Sequence, residues 1–311
     1  MTGAGTVAIP SPDRDETTLL DWRIIDLPLG GTVVPIVEYS VAGRSIEPGS
    51  PTVLFLAGGG SSGAQAAKLA RLCAERSVKL VLFDLPGHTP PGLLGEATPD
   101  RSLVRFAGPV SRRRVVDFMV QRWIEHSPSG RIAVASHSAG FIDASRIDPG
   151  LAQAIPRQIV LGSGLPGMAA MRSAYRAAQD AGASSKLDLI GILRTRAMPT
   201  GLPAIHFGPA AARRLSDEAI ESLQGTEHIL AVLNLLRAGS FGARIWRGVR
   251  VELVCSAGDR IAPEPLMRRA AERLEALGAE IRFHRVEGDL PHMFFMFDAG
   301  ATAAAEVICS G

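Results

Sequence analysis

Three residue types that together make an acyl-transfer catalyst stand at separated points of this 311-residue chain. Ser138 lies in the run Ser136-His137-Ser138-Ala139-Gly140. A serine hydroxyl is a poor nucleophile at neutral pH and needs a base beside it. An imidazole, ordinarily with a pKa of about 6.5, can take that proton and later return it to a leaving group. A carboxylate on the far ring nitrogen would hold the useful tautomer and stabilise the imidazolium. His292 and Asp259 are the candidates for these two duties. Asp259 follows an apolar run ending near Cys255, and His292 lies in the loop after residues 280–286.

The elements around Ser138 suit a nucleophile. Residues 131–135 read as a strand, and a helix follows Gly140, so 136–140 form a G-x-S-x-G nucleophile elbow with Ser136 in place of the first glycine. The strand-to-helix turn is tight, and large side chains two before or two after the serine would collide with neighbouring strands. Ser136 and Gly140 are both small. Each candidate also has a plainer reading. Ser138 could be a helix N-cap, and Asp259 could merely end a strand. Asp289 is the rival acid, but it lies in the histidine loop itself, three residues before His292. His137 is either a structural neighbour of Ser138 or part of the pocket lining.

The rest of the chain reads as strand–helix alternation. Residues 21–29 and 32–41 form a hairpin across Gly30 and Gly31. Residues 52–57, 79–84, 131–135, 158–162, 249–255 and 280–286 are strands, several of them apolar on both parities and so buried on both faces. Helices are expected at 64–76, 111–125, 263–277 and 294–307. The pattern makes an α/β fold with a mainly parallel sheet and helices on both faces. It breaks between 164 and 248, a mostly helical stretch read as a cap inserted over the carboxyl edge of the sheet. The expected organisation is therefore a polar N-terminal segment (1–20), a core (21–163 and 249–311) and a helical cap (164–248).

With these pieces in place, the chain resembles the α/β-hydrolase superfamily from about residue 21 to its end. The order Ser138, Asp259, His292 matches that family and differs from those of chymotrypsin-like and subtilisin-like proteases. Residues 84–88 (Asp-Leu-Pro-Gly-His) look like its D-x-P-G-x turn. Residues 57–61 (Ala-Gly-Gly-Gly-Ser) look like its oxyanion loop, with alanine where many members carry histidine. The resemblance implies an α/β-hydrolase fold and a Ser138–His292–Asp259 triad. It also implies an oxyanion hole built from the Ala139 N–H and that of Gly59 or Gly60. The serine at 138 argues against relatives that use an aspartate nucleophile for haloalkanes or epoxides.

Within the cap, apolar residues such as Met171 and Tyr175 are candidates to line a substrate pocket with Gly60 and His137. The cap carries ten basic and six acidic residues, a balance that suits an acyl group bearing a carboxylate or a thioester on an anionic carrier. The expected activity is hydrolysis of an ester or thioester of a mostly apolar acyl group through an acyl-enzyme. Hydrolysis of a carbon–carbon bond by the same triad, or a ligand-binding role that kept the fold, are the alternatives.

Composition excludes other classes. A net charge of +2 is too balanced for a protein chiefly engaged with nucleic acid. No apolar run reaches the roughly 18 residues of a membrane span. Met1 to Leu20 lack the apolar centre of a secretory signal. Cys73, Cys255 and Cys309 are too far apart for a disulfide framework or zinc knuckle, so a soluble, cytoplasmic protein without cofactor is expected. His206, His228 and His284 lack metal-ligand spacing, so no metal site is expected. His88 reads as a turn residue and Arg112–Arg114 as a solvated helix face. The glycines at 58–60 lack the G-K-[ST] that would follow in a phosphate loop. The surplus of arginine over lysine, with lysine only at 68, 79 and 186, reads as GC-rich codon usage.

Overall fold

The computed structural model describes residues 3–29, 31–44, 47, 49–58, 61–90, 92–99, 109–163 and 246–311. Most of the cap expected at 164–248, with Met171 and Tyr175, lies outside them, as do Gly59 and Gly60. Among the described residues one sheet carries nine strands: β1 (Ala4–Pro10), β2 (Thr17–Leu29), β3 (Thr32–Val41), β4 (Thr52–Leu56), β5 (Lys79–Asp84), β6 (Ala133–His137), β7 (Arg157–Leu161), β8 (Arg250–Ser256) and β9 (Glu280–Val286). Their spatial order is β1-β2-β3-β5-β4-β6-β7-β8-β9. The first three strands, and the β3–β5 pair, are antiparallel. From β5 to β9 every pairing is parallel.

Side-chain alternation explains the apolar runs. In β4, Val53 and Phe55 join one hydrophobic cluster, while Leu54 and Leu56 join the other. In β5, Leu80 and Leu82 face the first cluster, and Val81 and Phe83 the second. Helices α1 (Ala67–Ala74) and α6 (Asp298–Cys309) cover the first face. Helices α2 (Pro109–His126), α3 (Gly140–Ala144) and α5 (Glu264–Ala276) cover the second. A short helix α4 (Pro149–Ala152) precedes β7. Each large apolar side chain closed off in this way contributes about 1.5–3 kcal/mol. In α5, Leu266, Met267, Ala270 and Leu274 are buried, the single stripe that a surface helix needs.

Several boundaries differ from the sequence reading. The polar lead-in is part of the sheet: β1 pairs with Thr17–Arg23, and β2 begins before residue 21. Strand β6 runs to His137, so Ser136 and His137 belong to the strand and the turn starts at Ser138. The closing helix starts at Asp298, after a 3-10 turn over Phe294–Met296.

Lys68 ties the lead-in down. Its ammonium, 5% exposed, donates to Ser11 Oγ at 2.7 Å, to Asp13 Oδ1 at 2.9 Å and to Asp298. Burial alone would raise the Asp13 carboxyl, but hydrogen bonds from Ser11, the Asp298 backbone and Lys68 outweigh it and hold the pKa below 3.8. Burial likewise opposes the Lys68 charge, yet its bonds to Asp298 and Asp13 raise it above 10.5.

Candidate active site

Parallel strands end together, and the register puts the candidate residues on one edge. His137 pairs with Leu161, Val254 with Leu161, and Ser256 with Val286. Ser138, Gly162, Asp259 and His292 therefore follow the carboxyl ends of β6, β7, β8 and β9. This is the edge at which open α/β sheets gather ligands.

Ser138 has φ +51°, a left-handed conformation that costs a non-glycine residue about 1–3 kcal/mol and persists only where its surroundings impose it. Its N–H donates to Leu161 O at 3.2 Å. Its carbonyl accepts from Phe141 N at 3.1 Å and from Ser163 Oγ at 2.7 Å. The small neighbours have visible reasons. A Cβ on Gly140 would stand 2.2 Å from Leu56 O. Ser136 is fully buried where β6 runs between β4 and β7. Ser138 and Ala139 are only half-buried between closed neighbours, so the hydroxyl-bearing residue is displayed on a rigid corner.

Asp259 and His292 meet directly. Both are buried, and His292 Nδ1 lies 3.0 and 2.9 Å from the two carboxylate oxygens. Asp259 Oδ1 also accepts from Ile261 N at 2.9 Å and Ala262 N at 2.8 Å, which fixes its rotamer. Ser256 Oγ donates to Leu290 O at 2.7 Å, drawing the histidine loop to the end of β8. With Nδ1 donating to the carboxylate, Nε2 is left as the basic nitrogen. Asp289 is exposed and lies over Gly258.

His137 joins the two halves. Its ring centroid is 4.6 Å from that of His292 and 4.7 Å from that of Phe295, and its Nε2 is 3.3 Å from His292 O. It is 1% exposed, so among the described residues it acts as packing behind His292. Gly58 closes the other side: a Cβ there would stand 3.2 Å from both His137 Nδ1 and Ser138 Cβ. The segment after it is clamped by Asp84, whose Oδ1 accepts from Ser62 Oγ and Gly63 N, each at 2.7 Å, and whose Oδ2 accepts from Tyr39 Oη. Burial raises the Asp84 carboxyl despite these donors, and burial with the Asp84 charge raises the Tyr39 phenol well above 10.

Two features escaped the sequence. Gly162, at φ +52°, leaves room for the acid: a Cβ there would stand 2.8 Å from Asp259 Oδ2. Arg112 is not on a solvated face. It is fully buried, and its Nε donates to both oxygens of Asp143 at 2.8 and 2.7 Å. Arg113 and Arg114 are exposed as expected. Asp143 stands on α3, the helix leaving the elbow, and burial raises its carboxyl although the Arg112 charge acts against this. His88 is buried, with Nε2 3.4 Å from Arg112 Nη1. His284 pairs with Glu252 at 2.7 Å. Trp246, read as a cap residue, is fully buried against Phe141 of α3. Among the described residues no cluster of three His, Cys, Asp or Glu could hold a metal, and no helix is long and apolar enough to cross a membrane.

The Alpha/beta hydrolase family matches the chain over residues 53–305. A proline iminopeptidase-related protein of Thermus thermophilus superposes with a TM-score of 0.61 at 16% identity, over 92% of this chain and 98% of that one. The thioesterase domain of the curacin biosynthetic pathway gives 0.57 at 16% identity, over 92% and 99%. The monoacylglycerol lipase of Paleococcus ferrophilus gives 0.54 at 16% identity, over 84% and 96%. At these identities the likeness is one of fold. The sequence matches no curated protein.

Proposed function

The chain belongs to the alpha/beta hydrolase family, and from that premise we propose that it is a serine hydrolase cleaving an ester or thioester of a mostly apolar acyl group. The observation that carries this reading is the buried Asp259–His292 contact on the same sheet edge as a strained Ser138. In the proposed mechanism His292 Nε2 takes the proton of Ser138 as its oxygen attacks the acyl carbon. Asp259 stabilises the imidazolium through Nδ1, and the imidazolium then protonates the leaving alcohol or thiol. Water, activated by the same nitrogen, releases the acid and restores Ser138.

Charge on the acyl oxygen would be met by the Ala139 N–H at the start of α3 and by that of Gly59. The clamp of Ser62 and Gly63 on Asp84 supports the second donor by holding the end of that loop. One such donor is worth about 2.7–4 kcal/mol in the transition state. Met171 and Tyr175 belong to the proposed cap pocket, while His137 enters this mechanism as support for the His292 ring.

A fluorophosphonate probe tests the reading. Stoichiometric labelling that maps to Ser138, with turnover of activated acyl esters or acyl thioesters, is the expected result. A folded protein that neither labels nor turns over either substrate class would overturn it in favour of a binding role.

A further inference from the structure

The sequence separates Cys73 from Cys309 by most of its length, yet α1 and α6 pack together on one face of the sheet and gather both cysteines into one hydrophobic cluster. We propose that Cys73 and Cys309 are a redox modification site, at which hydrogen peroxide converts the pair to a disulfide stapling α1 to the C-terminal helix.

The two thiols are unequal in a way that sets the order of events. Cys73 is fully buried, whereas Cys309, the last residue of α6, is partly open to solvent. The neighbouring Cys309 sulfur and burial raise the Cys73 pKa, while the Cys73 thiol lowers that of Cys309. The charges of Arg76 and Arg157 act in the same direction on Cys309, against the cost of its burial. Arg157 is fixed there by donating to Ile308 O at 2.8 Å and to Val307 O. A partly exposed thiol beside guanidinium groups is the environment in which cysteines react.

The chemistry balances. The Cys309 thiolate attacks the peroxide, breaking its O–O bond, and becomes a sulfenic acid; the hydroxide released takes up a proton to give water. The Cys73 sulfur then attacks the sulfenyl sulfur, forming the S–S bond, and its proton leaves with the hydroxyl as a second water. Two thiols are oxidised and one peroxide is reduced to two waters. The third cysteine is a built-in control. Cys255 is buried in the cluster on the opposite sheet face, and burial pushes its thiol up to about 11.

The bond would join the two helices that follow the glycine loop and the histidine loop. Closing so long a loop restricts the unfolded chain, so the linked form should melt higher by about 5 °C.

The test treats the native protein with hydrogen peroxide, then denatures it and counts thiols. Three are expected in the untreated protein and one after treatment, with a mass two hydrogens lower, a peptide linking Cys73 to Cys309, and full reversal by a dithiol. Cys309→Ser, at a half-exposed helix end, should form no link. Cys73→Ser should halt at a sulfenic acid on Cys309 that dimedone traps. Three surviving thiols, over-oxidation without a link, a link to Cys255 or between two molecules, or a link formed only after denaturation would each overturn the proposal.

Discussion

Gly162 leaves Asp259 the space it occupies: a Cβ on Gly162 would lie 2.8 Å from Asp259 Oδ2, and the glycine's φ of +52° is itself unfavourable for any other residue. Gly162→Ala should therefore push the acid off the His292 ring without touching either side chain's chemistry. A displacement of this size is expected to cost about 10²-fold in kcat. Steady-state kinetics with an activated ester, beside a circular-dichroism spectrum, check this. Wild-type kcat in the variant would show that the acid tolerates the move.

The two aspartates near His292 should separate sharply. Asp259 touches Nδ1 from inside, while Asp289 is exposed over Gly258. Asp259→Asn should keep the fold and lower kcat by on the order of 10⁴, because the amide favours the wrong imidazole tautomer. Asp289→Asn should change it little. A larger loss from the Asp289 variant would reverse the assignment.

What the sequence disclosed, and what it hid, follows from how far each signal reaches along the chain. Strands such as β4 and β5 are legible because both faces are buried and the runs 53–56 and 80–83 are wholly apolar. The end of β6 was misread because Ser136 and His137 look like loop residues, whereas pairing with Leu56 and Leu161 keeps them in the strand. Strand β1 is built mostly of small residues, buries only Ile9 and exists through its pairing with β2. Arg112 hid behind its charge, although it sits on the α2 face of Val115, Val116, Met119 and Val120, a helical spacing that could have revealed it. Its partner Asp143 is on another helix, and no local pattern joins them. Gly162 looked like any glycine at a strand end. Asp259 and His292 were legible as types at strand ends, and the resemblance supplied their pairing.

The Arg112–Asp143 pair offers a test of how the elbow helix is held. Arg112→Met leaves a carboxylate stranded in the core and should cost about 3–5 kcal/mol in denaturant unfolding. Adding Asp143→Leu should recover much of that loss, since an apolar pair of similar volume needs no compensating charge. Equal losses in the single and double variants would remove the pair from the account.

Lys68 and Asp13 should give stability a defined pH window. Asp13 has a lowered pKa in the fold, so its contribution is present above 3.8 and is lost as pH falls through the lower folded value. Lys68 has a raised pKa, so its contribution is fully present below 10.5 and is lost as pH rises through the higher folded value. Lys68→Met should destabilise the protein by about 1–3 kcal/mol at neutral pH, a modest figure because Asp13 and Asp298 keep some contact with water. Urea titrations across pH test this: the deficits of Asp13→Asn and Lys68→Met should shrink beyond the acid and alkaline limits respectively. Deficits independent of pH would mean that charge is not what holds the lead-in.

The nucleophile carries the central claim, and Ser138→Ala measures it most directly. Removing one oxygen atom from a half-buried corner leaves the backbone bonds of the elbow in place, so the Tm should stay within a few degrees of wild type. With an activated acyl ester as substrate, kcat should fall by about 10⁶, and fluorophosphonate labelling should vanish. Retained turnover or labelling in this variant, with host esterases excluded, would contradict the account.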